Sequence, residues 1–263
     1  MAELAEGEEF AADTGFVHVE HEHVEHVPSS PSSPSPTATP TTPLSALRSI
    51  TNTPTSLLFT LAVLSLAIGM ALVESLSFSF FSKFLHAPPT LSGLTVVVTV
   101  MFEIPLFHFS DRIMKRTGPG NLQAVAMLAY ATRVIGYTLV PSAWMVLLLE
   151  PLHGVTYALG KTASIEHVRL TADGVVGQSV MNAIRNNLGP VAGLLLAGII
   201  GEEYGEAAVY RIFGGFVAAV MVAFKAVEWC SAERRGNEET LGDDTFGMEM
   251  VGKAVESASA HLF

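Results

Sequence analysis

The chain has 263 residues, 49% of them hydrophobic and only 15% charged, with a formal charge of −11. A typical soluble domain carries roughly 25% charged residues, so this composition argues against one. The acids crowd the two ends and leave a nearly neutral, apolar middle, no basic patch offers itself to nucleic acid, and a lone Cys230 excludes an internal disulfide.

Residues 1–27 form an acidic head in which His18, His21, His23 and His26 are interleaved with Glu20, Glu22 and Glu25. Closely spaced imidazoles can take zinc or copper. No cysteine or turn chemistry builds a tetrahedral site here, so a solvated tail without metal or cofactor is expected. Met1 to Phe10 lacks the basic start and apolar core of a signal peptide, which leaves the first apolar segment to direct insertion. Residues 28–43, PSSPSSPSPTATPTTP, read as a linker too polar to pack.

Six apolar segments follow, at 56–84, 91–110, 122–140, 143–163, 178–200 and 207–227. Turn signals separate them: Ala87-Pro88-Pro89, Gly118-Pro119-Gly120, Pro141-Ser142, Asp173-Gly174 and Gly201 to Gly205. At ~1.5 Å per residue each can cross about 30 Å of hydrocarbon as a helix, the form that satisfies its own backbone in lipid. The expected fold is all-α: a polytopic membrane bundle of six transmembrane helices over 56–227. A disordered head and linker at 1–55 precede it, and an acidic cytosolic tail at 228–263 follows. Within that tail Met248, Met250, Val251 and Val255 could form a short amphipathic helix, with disorder the expectation.

The second and third segments organise the rest. Leu91 to Ser110 holds one acid, Glu103, and Leu122 to Val140 one base, Arg133; a tight basic loop with Asp111, Arg112, Lys115 and Arg116 joins them. Lys161 and Arg169 follow the fourth segment, and Arg234 and Arg235 the sixth, whereas the opposite side offers Lys83, Arg211 and the acids Glu202 and Glu203. The positive-inside rule then puts both termini in the cytoplasm.

Ionisable groups are expensive inside a bilayer, at roughly 2.5–3.5 kcal/mol each on insertion scales, and so face a bundle interior. Here they are Glu74, Glu103, Arg133, Glu150, His153 and Arg185. Helical spacing puts Glu150 and His153 on one face, Tyr130, Arg133 and Tyr137 on another, and Ser75, Ser79 and Ser82 beside Glu74. Arg185 stands above a stripe of Gly189, Gly193 and Ala197 that suits close helix packing. Pro105 and Pro151 are expected to kink their helices. The charges serve either structural ion pairs or solute and proton handling.

The segment FHFSDRIMKRTG resembles the major facilitator superfamily loop motif Gly-x-x-x-Asp-Arg-x-Gly-[Arg/Lys]-[Arg/Lys]. Asp111, Arg112, Lys115 and Arg116 match it, and Phe107 and Met114 stand where the motif has glycine. VVTVMFEIPLFHFSDRIMKRTG, LAYATRVIGYTLVPSAWMVLLLEPLHGVTYAL and IRNNLGPVAGLLLAGIIGEEYG resemble the group around major facilitator superfamily domain-containing protein 6. That group is itself similar to proton-coupled symporters of the lactose permease type.

The resemblance covers residues 56–227, the C-terminal six-helix half of such a transporter. It implies proton-coupled secondary transport of a small polar solute, by an acid, an arginine and a His/Glu pair on successive helices. Glu103, Arg133, Glu150 and His153 resemble that set, with Glu preceding His here. Glu103 or Glu150 would carry the proton, and Arg133 would be its charge partner. Besides the lipid bilayer, a second six-helix half from the same or another chain is the implied partner. Three readings stay open: a fragment of a longer transporter, a half that pairs with another copy, or a non-transporting half-bundle acting as receptor or interaction scaffold. No Gly-x-x-x-x-Gly-Lys-[Ser/Thr] loop occurs, so ATP-driven transport is not expected, and no paired-acid or His-x-x-x-Asp arrangement lies within the spans, so an enzyme is not expected either.

Overall fold

The structure, a computed structural model, describes residues 42–172 and 174–260, and side chains as far as Arg234. The His cluster at 18–26, nearly all of the 28–43 linker, Asp173 and the side chains of the acidic tail, Arg235, Met248, Met250, Val251 and Val255 among them, lie outside the described residues. Every described residue belongs to the unit Ala38–Phe263.

The described residues form helices α1 (Pro43–Ile50), α2 (Pro54–Lys83), α3 (Pro89–Tyr137), α4 (Pro151–Thr171), α5 (Val175–Ala183), α6 (Gly189–Tyr204) and α7 (Glu206–Ala260). A 3-10 turn, Ala143–Leu148, precedes α4, and a π-helical turn, Ile184–Leu188, joins α5 to α6. Proline begins several helices where its missing N–H costs nothing: Pro43, Pro54, Pro89 and Pro151 all sit in first turns. Thr42 and Thr53 cap α1 and α2 by accepting from the N–H of Ser45 and Ser56.

Several boundaries differ from the sequence expectation, each for a local reason. The basic stretch 111–117 is helix, not loop, because Arg112, Met114, Lys115 and Arg116 are good helix formers. The break shrinks to Gly118, whose φ of +77° only glycine adopts cheaply. It divides α3 into arms at 89–117 and 119–137. Pro151 starts α4 instead of kinking it, so the expected 143–163 segment becomes a 3-10 turn followed by a helix that runs to Thr171. The head and linker expected at 1–55 contain α1, which buries Ala46 and Ile50. The tail expected to be disordered after 228 is a continuation of α7 as far as Ala260, with no proline to stop it.

Four described elements have the length and apolarity of a membrane span: Pro54–Lys83, Pro89–Tyr137, Val175–Tyr204 and Glu206–Arg234. The second, at 49 residues, would be about 73 Å long if straight. Its break makes two rods of it. α4 falls short on apolarity, since it carries His153, Lys161, Glu166, His167 and Arg169.

The 119–137 arm lies at the centre. Leu122, Met127, Tyr130, Val134 and Tyr137 on it are fully buried. α2 packs on α6 through the small-residue stripe, where a Cβ at Gly193 would meet the backbone of α2, with Ala71 Cβ and Leu72 N at 3.2 Å. Overpacking against immovable backbone costs about 1–3 kcal/mol. Gly193→Val should therefore lower the unfolding temperature of the detergent-solubilised chain clearly more than Gly198→Val, whose added Cβ meets nothing within 4 Å. Equal shifts would refute this account of the α2–α6 contact.

Candidate functional site

Between the 119–137 arm and α4, Pro141-Ser142 and the 3-10 turn lead the chain back on itself, Ser142 being extended at φ −138°, ψ 139°. Pro151 then begins α4 and fixes Glu150 at its N-terminus, where the helix dipole favours a carboxylate. Tyr137 and Glu150 thereby face each other at the end of one helix and the start of the next.

Arg133 is the hub. It is 6% exposed, Glu150 1% and Tyr137 fully buried. Arg133 Nη2 lies 3.2 Å from Glu150 Oε2. Its Nε donates to the Tyr137 hydroxyl at 2.6 Å, and that hydroxyl donates onward to Glu150 Oε1 at 2.6 Å. Thr99, on the first arm of α3, donates to Glu150 Oε2 at 2.8 Å. Arg133 Nη1 is 2.6 Å from His153 Nδ1. A guanidinium has no acceptor, so Nδ1 accepts and the ring carries its proton on Nε2. That nitrogen faces Glu74 Oε1 at 3.8 Å. The result is a chain Glu150–Arg133–His153–Glu74, closed and dry at Glu150 and open at Glu74, whose side chain is 52% exposed.

An aromatic frame holds Tyr137. Phe81 meets it edge-on at 5.3 Å, and Tyr210 packs at 6.1 Å. Phe80 stacks on Tyr210 at 4.5 Å, and the Tyr210 hydroxyl donates to the Val73 carbonyl at 3.2 Å. Rigid packing of this kind keeps a hydroxyl aimed at both partners.

Of the six intramembrane charges singled out, the structure brings together Glu74, Arg133, Glu150 and His153. Glu103 is not among them: it is half-buried, its backbone packs on Gly154, and among the described residues it has no ion pair. Its nearest charge influence is Lys161. Arg185 stands apart too, over the Tyr157 ring at 5.1 Å. Tyr130 turns from Arg133 toward Gly69, and Ser79 bonds Glu206 across α2 and α7. Asp111, Arg112, Lys115 and Arg116 lie on the helical extension of the first α3 arm, well away from the network. Thr99 and Tyr157 were missed, and Lys161, expected in the loop after the fourth segment, lies within α4. Their signal was present as stripes at four-residue spacing, Thr99–Glu103–Phe107–Asp111 and His153–Tyr157–Lys161, which a search for charges alone skips.

A family model described as MFS_1 like family matches residues 6–212. Among curated proteins, the chain is 25% identical over 167 residues to a maltose permease of Geobacillus stearothermophilus. The alignment takes in 61% of this chain and 42% of the permease, so the chain spans less than half the length of that relative.

Proposed function

The chain belongs to the MFS_1-like family, and on that footing we propose that it is one six-helix half of a secondary active transporter for a small polar solute, coupled to protons. Six crossings would be α2, the two arms of α3, α4 with its preceding turn, α5–α6 and the apolar part of α7, that is, residues 54–83, 89–117, 119–137, 143–171, 175–204 and 206–234. The basic residues Arg112, Lys115, Arg116, Arg169 and Arg234 share one end of these rods. By the positive-inside rule that end, with both termini, is cytoplasmic. A second half, from the same or another chain, would complete the cavity that alternating access requires.

The observation that carries the reading is the buried Arg133, bound at once to Glu150, Tyr137 and His153. A purely structural ion pair would not need a second acid, Glu74, waiting beyond the imidazole. In our reading, a proton reaching Glu150 removes its charge and weakens its hold on Arg133. The guanidinium then leans through His153 toward Glu74 and the solute cavity. Loss of the proton draws it back. The likeness to a maltose permease fits a polar solute of sugar size.

The test is uptake by the reconstituted protein, across a panel of sugars, nucleosides and organic acids. An imposed pH gradient, acid outside, should drive accumulation, and a protonophore should abolish it. Flux indifferent to the gradient would remove proton coupling from the proposal, and no flux of any solute, from the chain alone or joined to its second half, would remove transport.

A further inference from the structure

A second polar region lies apart from the Arg133 network. Between α4 and α5 is a cavity of about 610 Å³, to which Lys161, Ser164, Gln178, Asn182 and Arg185 contribute. That volume is in the range of small-molecule sites. Both cations are half-buried, and among the described residues neither has a carboxylate within ion-pair distance. They are held by rings instead. Lys161 Nζ lies 5.7 Å from the Tyr157 ring and 5.6 Å from Phe107, and the Arg185 guanidinium lies 5.1 Å from the Tyr157 ring. Arg185 also reaches the Tyr157 carbonyl at 3.4 Å.

No described acid lies within ion-pair distance of either cation. Glu166, on the adjoining recess that Lys161 also borders, is gripped by Arg169 at 2.6 Å. Asp111 lines the same recess from the far arm. Glu103 feels the charge of Lys161, but the two lie beyond ion-pair range. Asp173, beside Gly174 at the rim, lies outside the described residues. Arg185 sits in the π-turn Ile184–Leu188, a distortion of the helix that recurs at functional sites. Two half-buried cations, steadied by aromatic faces and flanked by amide groups, form a cradle with no carboxylate in ion-pair range among the described residues.

We propose that this cavity binds an anionic oxygen group, a carboxylate or phosphate, with Lys161 and Arg185 as its charge partners and the amide hydrogens of Asn182 and Gln178, the latter donating one to the Ile165 carbonyl, as its hydrogen-bonding wall. It rests on the transporter reading in one respect: the anion would belong to the transported solute, narrowing the substrate class to small organic acids or phosphate esters. An anionic lipid headgroup offers the same chemistry from another source.

The experiment is thermal unfolding of the full chain in phosphatidylcholine nanodiscs, in phosphate-free buffer of fixed ionic strength, with glucose, gluconate or glucose 6-phosphate added. These probes share a carbon skeleton and differ in charge. One or both anions should raise the unfolding temperature by about 4 °C or more near saturation, and glucose should not. Lys161→Gln and Arg185→Gln should each remove the rise, and Arg185→Lys should keep part of it, which separates charge from folding defects. Equal responses to glucose and the anions would overturn the proposal, as would an anion response undiminished in both Gln variants. In discs containing phosphatidylglycerol, stabilisation that vanishes in the Gln variants, with no added effect of the solutes, would keep the anion site and assign its occupant to lipid. Because binding is read without flux, an anion-dependent shift in a protein that transports nothing would retire the transporter reading and leave the site standing.

Discussion

Arg133→Leu should destabilise the chain by about 3–5 kcal/mol and end proton-driven uptake. The cost is not that of lost contacts alone. Glu150 is 1% exposed and would be left with only two hydroxyl donors, Tyr137 and Thr99, and no guanidinium. An uncompensated buried charge is what makes breaking such a pair so much worse than replacing both members. The double variant Arg133→Leu with Glu150→Gln therefore serves as the control. It should recover a substantial part of the stability lost in Arg133→Leu while remaining inactive. At roughly 2–4 °C per kcal/mol for a chain of this size, the single variant should unfold about 6–20 °C lower, well outside measurement error. If the double variant were as unstable as the single, Arg133 would be acting through packing and not through charge. If Arg133→Leu alone unfolded like the native chain, the guanidinium would not be buried as described.

Much of this arrangement was legible in the sequence, and the reasons differ from part to part. Apolar runs fix helices in lipid almost by themselves, because the backbone has nowhere else to bond. The rod expected at 207–227 consequently falls inside α7, and the one at 56–84 matches α2 to within two residues at either end. Charges inside those runs stand out for the same reason, which is how Glu74, Arg133, Glu150 and His153 could be named from residue type and spacing. Boundaries were harder. Pro151 carries the same letter whether it kinks a helix or starts one, and only the extended Ser142 and the 3-10 turn before it decide the matter. The basic stretch at 111–117 looked like a loop because it is polar, yet polar residues on a rod projecting past the hydrocarbon are as content in helix as in coil. Partner choice was least legible. Glu103 and Glu150 are equally acidic, and which of them meets Arg133 depends on the return of the chain after Tyr137. The neutral partners Thr99 and Tyr157 carry no charge to draw attention, though helical periodicity places them on the faces that matter.

Glu150→Gln is the variant that separates coupling from transport. Glutamine has the shape of the acid, and its carbonyl can still accept from Tyr137 or Thr99, so the local frame of Phe81, Tyr210 and Phe80 has no reason to collapse. What it cannot do is gain or lose a proton. Accumulation driven by an imposed pH gradient should fall to background. Exchange of internal for external solute moves no net proton and so should continue at a rate within severalfold of the native protein. Arg133 keeps Tyr137 and His153 as partners in this variant, with Glu74 beyond the imidazole to supply a countercharge. The loss of stability should accordingly be smaller than for Arg133→Leu. Thr99→Val offers a graded companion. It removes one hydrogen bond to the carboxylate, worth about 1.5–3 kcal/mol where the acceptor is charged. Thr99→Val should therefore lower the unfolding temperature by less than Arg133→Leu does, while proton-driven uptake survives. If Glu150→Gln still concentrated solute against a gradient, the coupling proton would have to travel by Glu74 or Glu103, and the buried pair would be scaffolding.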